Sequence, residues 1–156
     1  VSGWLDRGVP ALLPPLVMRF EGLARVGRDG LIRPYLCPAG YPTQGWGLRV
    51  AGMDAPPITR PEADARLMAV LPDYVAKTLR ICPELAGDAA RLAAAADFVF
   101  NCGPVAFSSS TFCRRLRARD WERAAVECQR WVFGGGRKLP GLVARREAEA
   151  ALIFSR

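Results

Sequence analysis

Apolar residues Val17, Met18 and Phe20 lead into Glu21 with helical spacing. Gly22 follows, so the pattern predicts that the helix loosens there, or that something packs close. An arginine-rich run from Arg25 to Arg33 comes next. Gly27 and Asp29-Gly30 within it favour a turn. After Pro34 the pattern changes: aromatics alternate with small and turn residues through Tyr35-Leu36-Cys37-Pro38-Ala39-Gly40-Tyr41-Pro42-Thr43-Gln44-Gly45-Trp46-Gly47. Pro-Ala-Gly marks a tight reversal, so this stretch reads as a short hairpin. One carboxylate near a helix end therefore faces a hairpin that carries a thiol and a hydroxyl.

The remainder of the chain reads as helices. Thr59-Arg60-Pro61-Glu62 has the form of a capping box, with Thr59 as N-cap and Glu62 reaching back. A helix should follow to about Arg80, bent or split near Leu71 by Pro72. From Leu85 to Asn101 the residues are alanine-rich and apolar nearly all round, which predicts a buried helix. Asn101 reads as a C-terminal helix cap. In the segment Phe107–Arg119, Ser110 or Thr111 should cap a helix whose basic face is Arg114, Arg115, Arg117 and Arg119. Asp120 starts another helix with Ala124, Ala125, Cys128 and Trp131 on its apolar face. The Gly134–Gly136 triplet is a loop, and Arg145-Arg146 forms the basic start of the last helix. Val1–Arg19 reads as a packed N-terminal arm. Its apolar run is too short and too proline-broken to span a membrane, and it lacks the features of an intact signal peptide.

Composition narrows the chemistry. A chain of 156 residues fits one compact domain with a sizeable core. The net charge of +7 suits an anionic partner, whether nucleic acid, acidic lipid or cell wall. Histidine is absent, which excludes Ser-His-Asp and Cys-His catalysis and any His-containing zinc site. The five cysteines, at 37, 82, 102, 113 and 128, form no Cys-x-x-Cys pair and cannot all be paired with one another. They read as mostly buried free thiols, and carboxylate chemistry is what remains.

At these residues the chain resembles the phage-type lysozymes, glycoside hydrolase family 24. The resemblance rests on Phe20-Glu21-Gly22, on Tyr35-x-Cys37-x-x-Gly40-x-x-Thr43, and on the Gly45-Trp46-Gly47 closure. Phe100-Asn101-Cys102-Gly103, Asp120-Trp121, Arg130-Trp131 and Leu139-Pro140-Gly141-Leu142 extend it to most of the chain. It implies an α+β, mostly helical, lysozyme-like domain with two lobes and a cleft between them. Residues 1–16 would be an N-terminal arm, 17–58 a catalytic hairpin lobe, 59–80 a connecting helix and 81–156 a helical lobe.

The implied activity is an inverting hydrolysis of the β-1,4 bond between N-acetylmuramic acid and N-acetylglucosamine in peptidoglycan, with no cofactor. Glu21 would be the general acid, and Cys37 and Thr43 would position water. Tyr35, Asn101 and Gly103 would contact substrate. The implied setting is an endolysin made in the host cytoplasm, acting as a monomer on the wall, with no nucleic acid partner and no stable membrane insertion. An export segment upstream stays open.

Two alternatives stay open as well. Fifteen residues lie between Glu21 and Cys37, a longer gap than the family's, so Arg25–Arg33 reads as an insertion: a solvated loop, or one whose arginines touch substrate. Asp29, eight residues after Glu21, therefore competes with Cys37 for the usual aspartate position. Cys37 is preferred because a hairpin fixes its internal spacing whereas a loop can lengthen at little cost. The rival functions are a catalytically dead wall-binding domain, given the missing aspartate, and a basic nucleic-acid-binding module.

Overall fold

The computed structural model describes residues 8–155. They form two compact units, one of residues 14–71 and one of residues 8–13 with 72–155. Helix dominates, with two small antiparallel sheets.

The first unit is built around a sheet of three short strands. Helix α1 (Leu13–Glu21) starts earlier than the sequence pattern suggests. Pro14 and Pro15 fall in its first turn, where a missing N–H costs nothing. The segment expected to be an arm thus becomes helical at Leu13; the first seven residues of the expected arm lie outside the described residues. Gly22, at φ +63°, ends α1 and donates to Met18 O at 3.1 Å. A β-carbon there would meet nothing, so Gly22 serves the turn and not a close approach.

Residues 25–33 fold as a small hairpin of their own. Arg33 N–H donates to Arg25 O, Gly27 N–H to Leu31 O, and Val26 bridges Ile32. Ile32 in turn exchanges two backbone hydrogen bonds with Ile58, at 2.7 and 2.9 Å. The strands β1 (Tyr35–Leu36), β2 (Pro42–Gln44) and β3 (Leu48–Arg49) lie in the order β1-β2-β3, with Tyr35 opposite Thr43 and Thr43 opposite Arg49. Gln44 is buried among them. Its amide donates to Ile32 O and Pro56 O, both at 2.9 Å, and its carbonyl accepts from Arg66 at 2.9 Å. This one side chain closes the polar account of three separate loops.

Helix α2 (Arg60–Ile81) opens on the expected capping box. Thr59 N–H donates to Glu62 at 2.7 Å, and Glu62 N–H returns the bond to the Thr59 hydroxyl. The helix runs through Pro72 without the split that this proline allowed. Both units draw on it, since the division falls between Leu71 and Pro72.

The second unit is helical. A 3₁₀ turn at Pro83–Leu85 precedes α3 (Ala89–Cys102), α4 (Pro104–Ser109), α5 (Thr111–Arg117) and α6 (Trp121–Cys128). Strands β4 (Phe133–Gly134) and β5 (Arg137–Lys138) then pair, and α7 (Pro140–Phe154) completes the unit. Asp88, Ser110 and Asp120 cap α3, α5 and α6. Gly134 ends β4, and the other two glycines of the triplet are the turn of the β4–β5 hairpin. Gly135 and Gly136 both take positive φ, as the tight two-residue turn requires. Asn101 lies inside α3, and the cap is Gly103, at φ +88°. Only a glycine adopts that conformation without strain. Trp131 is 36% exposed although its ring edge meets Phe98 at 5.2 Å; the apolar face of α6 is carried by Ala124, Ala125 and Cys128.

Residues Leu92 to Val99 are buried without a break, as the apolar pattern predicts. That burial includes Asp97. Arg145 answers it with two parallel bonds of 2.8 Å to the two carboxylate oxygens. Arg146 lies 4.7 Å over the Phe98 ring and pairs with Glu149 at 3.2 Å. All four charged residues are at most 3% exposed. The reading of Arg145-Arg146 as the basic start of the last helix is therefore corrected: both lie inside α7 and are buried. Burial pushes the Glu149 carboxyl well above the ordinary carboxylate range, against the pull of Arg146. The Cys128 thiol, also raised by burial, donates to Glu149 at 3.2 Å. Asp97→Ala should cost about 3–5 kcal/mol, because it removes the carboxylate that binds the buried Arg145 guanidinium through two hydrogen bonds. Urea unfolding of the variant against the wild type measures this.

Candidate active site

Sheet register decides which side chains meet. Alternate residues of a strand share a face, and directly opposed residues stand side by side. Tyr35, Thr43 and Arg49 therefore form a row across the three strands. Cys37 follows Tyr35 by two positions, so it lies on the same face. The Cys37-Pro38-Ala39-Gly40 turn closes with Gly40 N–H on Cys37 O at 2.8 Å. Cys37 N–H donates to Tyr41 O at 3.0 Å, which brings Tyr41 opposite Cys37. The Arg49 guanidinium stacks 3.7 Å from the centre of the Tyr41 ring.

Electrostatics report the same neighbourhood. Hydrogen bonding to the Tyr41 and Ala39 backbone, then the Thr43 hydroxyl and the Arg49 charge, hold the Cys37 thiol below its ordinary range against a partial desolvation. The Tyr35 phenol is raised, first by burial and then by the charges of Glu21 and Cys37. So Glu21, Tyr35, Cys37 and Thr43 share one neighbourhood. Thr43 is 4% exposed and its hydroxyl donates to Tyr41 O at 3.0 Å. That leaves its oxygen lone pairs to accept from a water.

Glu21 is fixed from the other side by the hairpin closure. A β-carbon on Gly47 would lie 3.0 Å from Glu21 Cδ, 3.3 Å from Cγ, and closer still to Oε2. Gly47 also takes φ +78°. The chain must pass there without a side chain, and the carboxylate fills the space. The turn is held by α2: Trp46 is buried and donates to Asp64 at 2.7 Å, Arg60 stacks on its indole, and Gly45 packs on Ala63.

Asp29 lies at the tip of the 25–33 hairpin. Arg33 binds both of its oxygens, at 3.0 and 2.7 Å, and Leu31 N–H adds a third bond. These hold the carboxyl well below the usual carboxylate range. It is an anion occupied by its own loop.

Asn101 and Gly103 belong to the other unit. Asn101 is exposed and its carbonyl accepts from Arg146 at 2.7 Å. Arg146 is thus the link between the buried ion cluster and a predicted substrate contact, and the sequence reading missed it. The signal was present: a lone Asp97 in a helix buried all round demands a buried cation, and Arg145, Arg146 and Glu149 have helical spacing. Among the described residues no cluster of three His, Cys, Asp or Glu could hold a metal ion, and no helix is long and apolar enough to cross a membrane.

Comparison with known proteins gives a consistent picture. The phage lysozyme family model matches residues 20–149. The endolysin of Acyrthosiphon pisum secondary endosymbiont phage 1 is 32% identical over 148 residues, covering 90% of this chain and 93% of that protein. The SAR-endolysin of Escherichia phage Mu is 48% identical over 59 residues, which are 38% of this chain; the match spans only 34% of the Mu protein. The structure of the endolysin from Escherichia coli O157:H7 phage FAHEc1 superposes with a TM-score of 0.73 at 27% identity, covering 90% of this chain and 89% of that one.

The cysteines should differ sharply in reactivity. All five are free, with Cys82, Cys113 and Cys128 buried. Burial raises Cys82 to about 12 and also raises Cys102, Cys113 and Cys128, whereas Cys37 is lowered. A lowered thiol carries more thiolate at neutral pH, so iodoacetamide should modify Cys37 first. Its rate should rise with pH to a midpoint below the ordinary thiol value. Peptide mass mapping against pH reads both.

Proposed function

This chain belongs to the phage lysozyme family, and on that premise we propose that it hydrolyses peptidoglycan as a muramidase. The bond cut is the β-1,4 link between N-acetylmuramic acid and N-acetylglucosamine. The observation that carries the reading is the Glu21 carboxylate seated against the side-chain-free Gly47, in the neighbourhood of Cys37 and Thr43.

Glu21 acts as general acid. It gives its proton to the glycosidic oxygen as the bond to the anomeric carbon breaks. A water attacks that carbon from the opposite face, with inversion. Inverting enzymes separate their two groups by roughly 6.5–9.5 Å to leave room for this water. Thr43 and Cys37 position the water, and Cys37 takes the proton released by the attack in the fraction of molecules that carry the thiolate, a fraction that rises with pH. Tyr35 lines the sugar path between Glu21 and Cys37. Asn101, oriented by Arg146, and Gly103 contact the glycan. The enzyme acts as a monomer on the wall after synthesis in the host cytoplasm.

The nucleic-acid reading is less well supported. Much of the basic surface of α5 and its surroundings is engaged by acids: Arg115 and Arg123 with Asp120, Arg117 with Glu84, and Arg130 with Glu127. Four arginines share three acids there, which interrupts the positive surface a phosphate backbone would track.

Three substitutions test the assignment by release of reducing ends from purified walls. Glu21→Gln should lower the rate at least about 10²–10⁴-fold, since an amide cannot give up the proton. Cys37→Asp should remain active while Cys37→Ala loses activity. Asp29→Asn should change little, because Asp29 is committed to Arg33. Loss of activity in Asp29→Asn with retention in Cys37→Ala would make Asp29 the base.

A further inference from the structure

A concave feature lies in the same unit as Glu21, Cys37 and Thr43, and the chemistry above leaves it unused. β3 is an edge strand, and between it and α2 runs a groove lined by Leu48, Arg49, Val50, Arg66, Ala69 and Val70. Its volume is about 460 Å³, within the range that holds small ligands. The floor is aliphatic, and two guanidinium groups flank it. Among the described residues, neither Arg49 nor Arg66 forms an ion pair with a carboxylate.

Each arginine is held in place by a neutral contact, while the Arg66 charge also acts on Glu62 one turn before it and the Arg49 charge on Cys37. Arg66 is tied through Nη1 to the Gln44 carbonyl, which is itself anchored by Ile32 and Pro56. Arg49 is stacked flat on Tyr41. A guanidinium already immobilised loses less entropy when it binds, and its fork matches a carboxylate. Arg49 also completes the row Tyr35–Thr43–Arg49, so the groove continues from the face that carries the reactive groups.

We propose that this groove seats the acidic stem peptide of the peptidoglycan strand, with Arg49 and Arg66 as carboxylate partners. The proposal rests on the muramidase reading and deepens it. The stem peptide is short, extended and hung from the muramic sugar. It alternates methyl and alkyl groups with free carboxylates, which is the mixture this lining complements. An extended segment beside β3 also lies along a strand edge that no other strand of the sheet covers.

The test uses soluble uncrosslinked glycan strands, either with stem peptides or stripped of them by an amidase, and the free pentapeptide stem as a ligand. The intact chain should cleave peptide-bearing strands with the higher kcat/KM. In the double variant Arg49→Gln, Arg66→Gln that preference should fall by about tenfold or more, the scale of lost charge-assisted bonds. Arg49→Gln alone should lower it too, with Gln44 left in its native contacts. Binding of the free pentapeptide, followed by calorimetry, should weaken in the same order and should weaken with salt. A preference unchanged by the substitutions, or an equal loss on stripped strands, would overturn the groove assignment. Wild-type protein that binds the pentapeptide in an arginine-dependent way but releases no reducing ends would uphold the groove and sink the muramidase reading. Cleavage without arginine-dependent peptide binding would do the reverse.

Discussion

The candidate site depends on a position where a side chain is missing. Gly47 must turn with positive φ, and it must do so against the Glu21 carboxylate. Any other residue would be strained in its backbone and would collide with the acid. This contact ties the end of α1 to the end of the β2–β3 turn, two segments that the 25–33 insertion separates in sequence. Trp46 and Gly45 anchor the same turn to α2, so the acid is located by a turn that is itself fixed by a buried indole, an Asp64 hydrogen bond and a close glycine–alanine packing. Glu21 therefore has a defined neighbourhood without any strand or helix of its own beyond it.

The 25–33 hairpin is held together by contacts within itself. Its backbone closes on itself through Arg25–Arg33 and Gly27–Leu31 bonds, and Asp29 is neutralised by Arg33 within the loop. Only Ile32 reaches inward, to Ile58 and, through its carbonyl, to Gln44. Residues 25–33 thus fold as a self-contained unit beside the Cys37–Thr43 hairpin. A carboxylate that looks well placed by residue count is here engaged by hydrogen bonds within its own loop.

In the helical unit the organising feature is ionic. Asp97, Arg145, Arg146 and Glu149 are buried together, and Asn101 and Cys128 complete the ring of contacts. Pairs of this kind contribute little net stability over apolar residues, yet losing one member is costly. Their consequence here is positional. Arg146 carries the cluster to Asn101 and sets the direction of its amide. Arg91 works similarly at the edge, joining the start of α3 to the Ile153 carbonyl of α7 and to the carbonyl of Ser155, which caps that helix.

Local signals were legible in the sequence because they are decided within a few residues. The Thr59–Glu62 capping box, the Ser110 and Asp120 caps, the Cys37–Gly40 reversal and the continuous burial of Leu92–Val99 each follow from near-neighbour chemistry. So did the family, since Glu21, Cys37, Thr43 and the Gly-Trp-Gly closure stand at fixed spacing. The tertiary structure alone decided what depends on partners far along the chain. It made Arg145, Arg146 and Glu149 interior residues, because Asp97 lies 48 positions away and needed a counter-charge. It gave the helix cap to Gly103 and Asn101 to Arg146. It also aligned Tyr35, Thr43 and Arg49 in one row, because strand register is a relation between segments and no single segment encodes it.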